Sequence, residues 1–182
     1  MKKHVLLFII FALGVLNFAY AGMSTLPLSL YFKNYHSDKV LNNNNILDGR
    51  PESLLSENDD LVFSYKPTDK PTESFVLNGP IILNLYVEFD VREVGIEVFI
   101  YKLDSNGNEI QLEICNPEVR VKKNNKVNRV FIKTCPLEQL FHANENLLVK
   151  IRQAPLGKIY NMTKLHHSPK YPSRILINFD RI

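Results

Sequence analysis

The sequence feature that most constrains the fold is a repeated alternation of apolar and polar side chains with a period of two residues. Between Ile81 and Arg92 every second residue, from Ile81 to Val91, is apolar, and most of the residues between are polar. Successive side chains of a β-strand point to opposite faces of its sheet, so this pattern predicts a strand with one buried and one hydrated face. Helical periodicity is scarce along the chain.

The same criteria predict about ten short strands separated by turn-forming residues. They cover the ranges 26–33, 61–65, 73–77, 81–92, 94–103, 109–115, 118–122, 128–134, 146–152 and 174–180. So many short strands favour an all-β fold, an antiparallel β-sandwich or jelly roll.

Turn chemistry predicts how some of these strands connect. Residues 104–108 predict a hairpin between the strands on either side. Residues 124–126 predict a second hairpin, in which Val121 lies opposite Val130 and Val119 opposite Ile132. The range 39–60 is predicted to be rich in loops, and the range 154–173 to be one long loop.

The N-terminus has the three-part layout of a signal peptide. Lys2 and Lys3 precede an apolar run, and Ala19 and Ala21 are the small residues that a signal peptidase recognises. The run is shorter than the ~20 residues of a membrane-spanning helix, so an uncleaved anchor is the less favoured alternative. We expect cleavage of residues 1–21 after Ala21, leaving one soluble domain (22–182) that is secreted or periplasmic and not inserted in a membrane.

Removal of the leader leaves the protein almost neutral. The chain has 22 basic and 19 acidic residues, and the leader holds Lys2, Lys3 and no acid, so the mature protein has 20 basic and 19 acidic residues and a net charge of +1. Nucleic-acid binding depends on several clustered cationic contacts to phosphates. The composition therefore gives no reason to expect a nucleic-acid partner.

Three segments carry a family resemblance: LVFSYKP at 61–67, FVLNGPIILNL at 75–85 and EVFIYKLDSNGN at 97–108. They resemble the C-terminal jelly-roll (galactose-binding-like) domain of X-Pro dipeptidyl-peptidases and cocaine-esterase-like hydrolases. In the range 135–151 the resemblance is one of outline, because Asn144-Glu145-Asn146-Leu147 stand where that family has Gly-His and an Arg. The resemblance covers about half of the chain and implies the fold rather than an activity. The family's triad lies in a hydrolase domain that these residues do not include.

No catalytic or metal-binding motif stands out in the rest of the sequence. It contains no Gly-x-Ser-x-Gly elbow, no Gly-rich phosphate loop, no His-Glu-x-x-His and no Cys-x-x-Cys. A triad assembled from distant residues, or a calcium site that includes Asp59 and Asp60, stays open as an alternative. We expect no enzyme activity, no metal and no cofactor.

The predicted long loop 154–173 is the candidate ligand site. It is basic, contains no acidic residue, and holds two tyrosines that strand packing does not explain. A solvated basic loop without a ligand is the alternative, and the adjacent histidines are expected to be a solvated pair that points in opposite directions. Asn161-Met162-Thr163 is a glycosylation triplet in a eukaryotic host. Arg174, which opens the next predicted strand, is added to the loop residues. The candidate ligand-binding residues are Tyr160, His166, His167, Tyr171 and Arg174.

The two cysteines, Cys115 and Cys135, predict one disulfide. An oxidising compartment permits the bond, and two cysteines allow one intramolecular pairing. In the second predicted hairpin they come opposite each other when a bulge at Asn116, beside Pro117, adds one residue to the first strand. Two separate thiols are the alternative.

Fold, export and the missing motifs together predict a non-enzymatic extracytoplasmic module that binds a glycan or a protein partner. The alternative is an accessory, non-catalytic domain of a serine-hydrolase or dipeptidyl-peptidase system that works beside a separate catalytic chain. An enzyme in its own right is the third possibility.

Export is tested by N-terminal sequencing of the protein recovered from the extracytoplasmic fraction. We expect the sequence to start at Gly22, because the small residues before it are those that the peptidase reads. Membrane-bound protein that retains Met1 would show that the apolar run is an anchor.

Overall fold

The computed structural model describes residues 28–35, 38–42, 52–55, 60–68, 70–112, 118–154 and 163–182. Within these ranges the chain forms strands, turns and irregular connections, and no helix. Accordingly, none of the described segments is a helix with the length and hydropathy needed to cross a bilayer. The predicted all-β class is confirmed.

Thirteen strands make up the described part of the chain. In chain order they are β1 (Leu28–Tyr35), β2 (Asp38–Asn42), β3 (Glu52–Leu55), β4 (Leu61–Tyr65), β5 (Phe75–Glu88), β6 (Glu93–Leu103), β7 (Glu109–Leu112), β8 (Glu118–Lys122), β9 (Val127–Phe141), β10 (Asn146–Ala154), β11 (Thr163–His166), β12 (Arg174–Ile177) and β13 (Phe179–Arg181).

The strands form two antiparallel sheets that face each other as a sandwich. Sheet I contains β1, β2, β3, β5, β9, β11, β12 and β13, and sheet II contains β4, β6, β7, β8 and β10. One parallel bridge, Val40 opposite Ser64, connects the sheets at an edge. The predicted antiparallel sandwich or jelly roll is confirmed.

The core lies between the inner faces of the two sheets. Phe32 of sheet I and Phe63 of sheet II meet edge to face, with ring centroids 4.7 Å apart, a geometry that aromatic pairs favour. Each large apolar side chain buried in this way contributes about 1.5–3 kcal/mol. The inward positions of β5, β6 and β10 are occupied by Leu83, Leu85, Val87, Val94, Ile96, Val98, Ile100, Leu147, Val149 and Ile151.

Strand β5 is longer than the sequence predicted. Gly79-Pro80 was expected to separate two strands, because both residues commonly interrupt strands. Instead Gly79 adopts a φ of 88° and the β5–β9 register shifts between Pro80 and Ile82. This irregularity lets one strand continue from Phe75 to Glu88.

Long cationic side chains cover the outer face of β6. Apolar residues on both faces of a strand are typical of burial between two layers. In the structure the ammonium of Lys150 lies 4.5 Å from the ring centroid of Tyr101, and the guanidinium of Arg152 lies 4.8 Å from that of Phe99. Long side chains from the neighbouring strand β10 therefore cover these rings.

One of the two predicted hairpins forms and the other does not. Strands β6 and β7 pair across the Asp104 turn, as predicted. By contrast, β8 pairs with β6 in sheet II, whereas β9 pairs with β5 in sheet I. The predicted β8–β9 ladder is therefore wrong, and so is the opposition of Val121 and Val130. The turn at 124–126 crosses from one sheet to the other, a difference that alternation and turn residues do not encode.

Three short strands lie in ranges that the sequence predicted as loops. β2 begins one residue before the range 39–60 and extends into it, β3 falls within that range, and β11 falls within 154–173. β11 is held between β3 and β5 by backbone pairing on both sides. Pairing partners, rather than a local pattern, make such four- or five-residue segments into strands.

The close approach of β6 and β10 at Gly95 yields a stability prediction. A Cβ added to Gly95 would lie 2.7 Å from the Cβ of Ala154, the residue opposite it in the ladder. We expect Gly95→Ala to destabilise the protein by about 1–3 kcal/mol because the two methyl groups overlap. Urea unfolding measures this, and adding Ala154→Gly should restore part of the loss. A double mutant that is no more stable than Gly95→Ala alone would show that the clash with Ala154 is not the cause of the loss.

The strands beside Cys115 change the basis of the disulfide prediction. Cys115 and the predicted bulge at Asn116 lie outside the described residues, while Cys135 lies in β9 of sheet I. Residues 113–117 connect β7 to β8, and both of these strands pair with β6 in sheet II. A Cys115–Cys135 bond would join the two sheets and not the two strands of a hairpin.

Intact-mass measurement of the exported protein under alkylating conditions tests this disulfide. We expect a mass two protons below that of the dithiol and no uptake of label. Reduction should then lower stability by roughly 3 kcal/mol in the chain-entropy model. Two alkylated cysteines without prior reduction would contradict the pairing.

Candidate functional site

The outer face of sheet I gathers the candidate residues that the structure describes. On β5, Asn84 and Tyr86 point away from the core, because Leu83, Leu85 and Val87 fill the inner face. We call the surface around them the β5 face. It consists of Asn84, Tyr86, Glu88, Arg129, Phe131, His166, Tyr171 and Arg174.

Cross-strand register arranges most of this face in rows. Residues directly opposite each other in antiparallel strands share a face, with Cβ atoms about 5 Å apart. Strand β5 lies between β9 on one side and β11 and β12 on the other. Two successive rows are Arg174–Asn84–Phe131 and His166–Tyr86–Arg129.

Tyr171 reaches the β5 face because the chain leaves the edge of β5 between β11 and β12. His166 lies opposite Tyr86, and Arg174 lies opposite Asn84. A continuous strand would place one residue between His166 and Arg174, but residues 167–173 form a loop there, which we call the Tyr171 loop. The Tyr171 ring lies 5.8 Å from the Tyr86 ring and 5.5 Å from the His166 ring, between centroids.

His166 lies between two acidic side chains at one end of the β5 face. Its Nε2 is 3.0 Å from Oε2 of Glu88, and its Nδ1 is 3.7 Å from Oε1 of Glu52. Lys164 forms an ion pair with the same Glu52 at 3.1 Å. A hydrogen bond from Lys164 to Glu52, together with the charge of that carboxylate, raises the pKa of Lys164. These contacts join β3, β11 and β5 through their side chains.

His167 points the opposite way, into the sandwich. Its Nε2 lies 3.1 Å from Oγ of Ser53, and its ring contacts Phe63 edge to face. His166 and His167 are 6% and 3% exposed, so the expectation of a solvated pair is wrong, although the opposite directions were predicted correctly. A Ser–His contact is the geometry of an activated nucleophile, but both residues are buried beneath β11.

The β9 side of the β5 face combines an arginine, bonded to an asparagine of β5, with an exposed ring. Arg129 donates a hydrogen bond from Nε to Oδ1 of Asn84 at 2.6 Å. Phe131, in the neighbouring row, is 58% exposed. Hydrogen-bond donors beside apolar rings are the groups that hold ligands rich in hydroxyl or carboxylate oxygens.

The structure thus brings together three of the five predicted ligand residues. His166, Tyr171 and Arg174 lie on the β5 face, His167 lies inside the sandwich, and Tyr160 lies outside the described residues. Sequence reasoning assigned Asn84 and its neighbours on β5 to the hydrated face but did not include them in the site. The strand alternation was the available signal. In the described ranges no three His, Cys, Asp or Glu side chains converge as metal ligands would.

Solved structures share this fold. A CocE/NonD family hydrolase from Staphylococcus aureus superposes with a TM-score of 0.69 at 20% identity, over 88% of this chain and 38% of the hydrolase. An aminopeptidase from a marine sediment Thaumarchaeota archaeon superposes with a TM-score of 0.62 at 10% identity, over 84% of this chain and 36% of the aminopeptidase. An alpha-amino acid ester hydrolase superposes with a TM-score of 0.63 at 9% identity, over 85% of this chain and 36% of the hydrolase. No protein-family model and no curated protein matches the sequence.

These likenesses confirm the predicted resemblance for the fold. The chain spans little more than a third of each hydrolase, 36–38% of its length. At such low identities the shared architecture does not carry the residues or activity of those enzymes to this protein.

Proposed function

We propose that this protein is an exported, non-catalytic β-sandwich that binds a glycan through the β5 face. The observation that carries the proposal is the convergence of His166, Tyr171 and Arg174 on one sheet face. The basic, acid-free segment of the sequence and the strand that follows it indicate these three residues, and they meet Asn84 and Tyr86 on the β5 face. A protein partner is the other ligand class that such a face accepts.

The chemistry of the β5 face suits a sugar chain. The apolar side of a pyranose ring packs against an aromatic ring, and Phe131 and Tyr171 offer rings at the two ends of the face. Sugar hydroxyls require nearby donors and acceptors, which the exposed guanidinium of Arg129 and the phenol hydroxyl of Tyr171 supply. Since the strands fix their positions, the ligand would meet a face that is already organised.

The comparisons favour a second candidate function, an accessory domain of a hydrolase system. Three hydrolytic enzymes share the fold over most of this chain, which covers only 36–38% of each of them. A separate catalytic chain acting beside this protein would account for that relation. The isolated protein would then lack turnover of ester and peptide substrates.

A glycan array with purified residues 22–182 tests the glycan proposal. We expect Tyr171→Ala to weaken binding at least about tenfold, or ~1.4 kcal/mol, because the ring on the outer side of Tyr86 is lost. Tyr101→Ala is the matched control, since Tyr101 lies on the outer face of sheet II beside Lys150. Equal losses in both variants, or binding to no glycan, would reject the β5 face as a glycan site.

The hydrolase alternative requires a different measurement. Ester and peptide hydrolysis is assayed in the isolated protein and in complexes purified with it from its own host. Activity that co-purifies with the protein but is absent from the isolated chain supports an accessory domain. Turnover by the isolated chain would instead support an enzyme in its own right.

A further inference from the structure

Arg174 has an unsatisfied hydrogen-bond donor on the β5 face. Its Nε is buried and has no hydrogen-bond partner in the described part of the protein, while the residue as a whole is partly exposed. A buried N–H without a partner is costly, because it has lost water and gained nothing in return. A ligand oxygen that meets this N–H, once the partly exposed side chain moves, would remove that cost.

Asn84 and Arg129 extend this donor site across β5. Asn84 lies opposite Arg174 and is 4% exposed, and its Oδ1 accepts the hydrogen bond from Arg129. The arginines rise from β12 and β9, the strands on either side of β5, which are about 10 Å apart. One ligand lying across β5 would therefore meet both guanidinium groups.

Charges on the sheet faces are unevenly balanced. Elsewhere in the described ranges several cations are neutralised, as Lys102 is by Glu145 and Arg152 by Glu97. At the His166 end of the β5 face, Glu88 lies within 3.7 Å of the ammonium of Lys126. No described carboxylate forms an ion pair with the cations on the outer face of β9, on β12 or on the Tyr171 loop, which are Arg129, Lys133, Arg174 and Lys170.

We infer that the glycan bound by the β5 face is acidic and that Arg174 and Arg129 hold its carboxylate or sulfate oxygens. This inference rests on the proposed function and narrows it to one class of ligand. Guanidinium groups bind oxyanions through two parallel N–H donors, which a neutral hydroxyl does not match. The exposed Phe131 ring, in the same row as Arg174, would contact the sugar ring that carries the anion.

Two matched pairs of polysaccharides test the inference with purified residues 22–182. Dextran sulfate is compared with dextran, and polygalacturonate with its fully methyl-esterified form, so that charge changes on an otherwise similar backbone. We expect binding to at least one anionic polymer and at least about tenfold weaker binding to its neutral counterpart, which is the ~1.4 kcal/mol or more typical of a charged hydrogen bond. The pair that responds identifies sulfate or carboxylate as the anion, and added salt should weaken binding.

Arginine variants locate the anion on the protein. Arg174→Gln and Arg129→Gln should each weaken binding to the anionic polymer at least about tenfold. Arg120→Gln is the control, because Arg120 lies on β8 of sheet II. This variant should leave binding unchanged. Arg129 is exposed, so its variant remains informative even where Arg174→Gln unfolds in a thermal melt.

Several outcomes would overturn the inference. An affinity that is equal for charged and neutral polymers contradicts an anionic ligand. So does an affinity that is the same in Arg174→Gln, in Arg129→Gln and in the unaltered protein. If that binding is nevertheless lost in Tyr171→Ala, the proposed glycan function stands and only the acidic class is wrong. Binding to neither anionic polymer also overturns the inference, and the glycan array then decides the proposed function separately.

Discussion

The burial of the inner face of β5, together with backbone pairing along both of its edges, is the constraint on which the rest of the structure depends. On its inner side Leu83, Leu85 and Val87 are fully buried in the core. Along its edges β5 pairs with β9 over nearly its whole length, and with β11, β12 and β13 on the other side. A shift of one residue in any of these ladders would exchange the buried and outer faces of the shifted strand. The registers, and with them the outer face, are therefore fixed by burial.

The β5 face is a consequence of this arrangement. Two short strands, β11 and β12, share one edge of β5, and the chain between them has to leave that edge. The Tyr171 loop forms there and is held at its base, where Ser173 Oγ accepts a hydrogen bond from the backbone N–H of Tyr86 at 2.9 Å. Because this anchor is fully buried, the loop carries Tyr171 to a defined place over Tyr86 and His166.

Electrostatics distinguishes two sets of polar side chains on the β5 face. His166 contacts both Glu88 and Glu52, and these contacts join three strands, so their polar atoms serve the fold. Arg174 and Arg129 form no ion pair with a described carboxylate, and they are the groups that we propose for a ligand. Residues close in space thus differ in charge balance because of the partners that neighbouring strands provide.

The sequence by itself determined the class of fold and the faces of the long strands, because alternation with a period of two reports burial directly. It placed Leu83 inside and Asn84 outside, and it selected His166, Tyr171 and Arg174 as neighbours along the chain. Only the tertiary structure decided which strands are adjacent. It made the 124–126 turn a crossing between sheets, turned part of a predicted loop into β11, and placed Asn84 and Arg129 beside Arg174. Those outcomes depend on backbone pairing between segments far apart in the sequence, which no local pattern of side chains specifies.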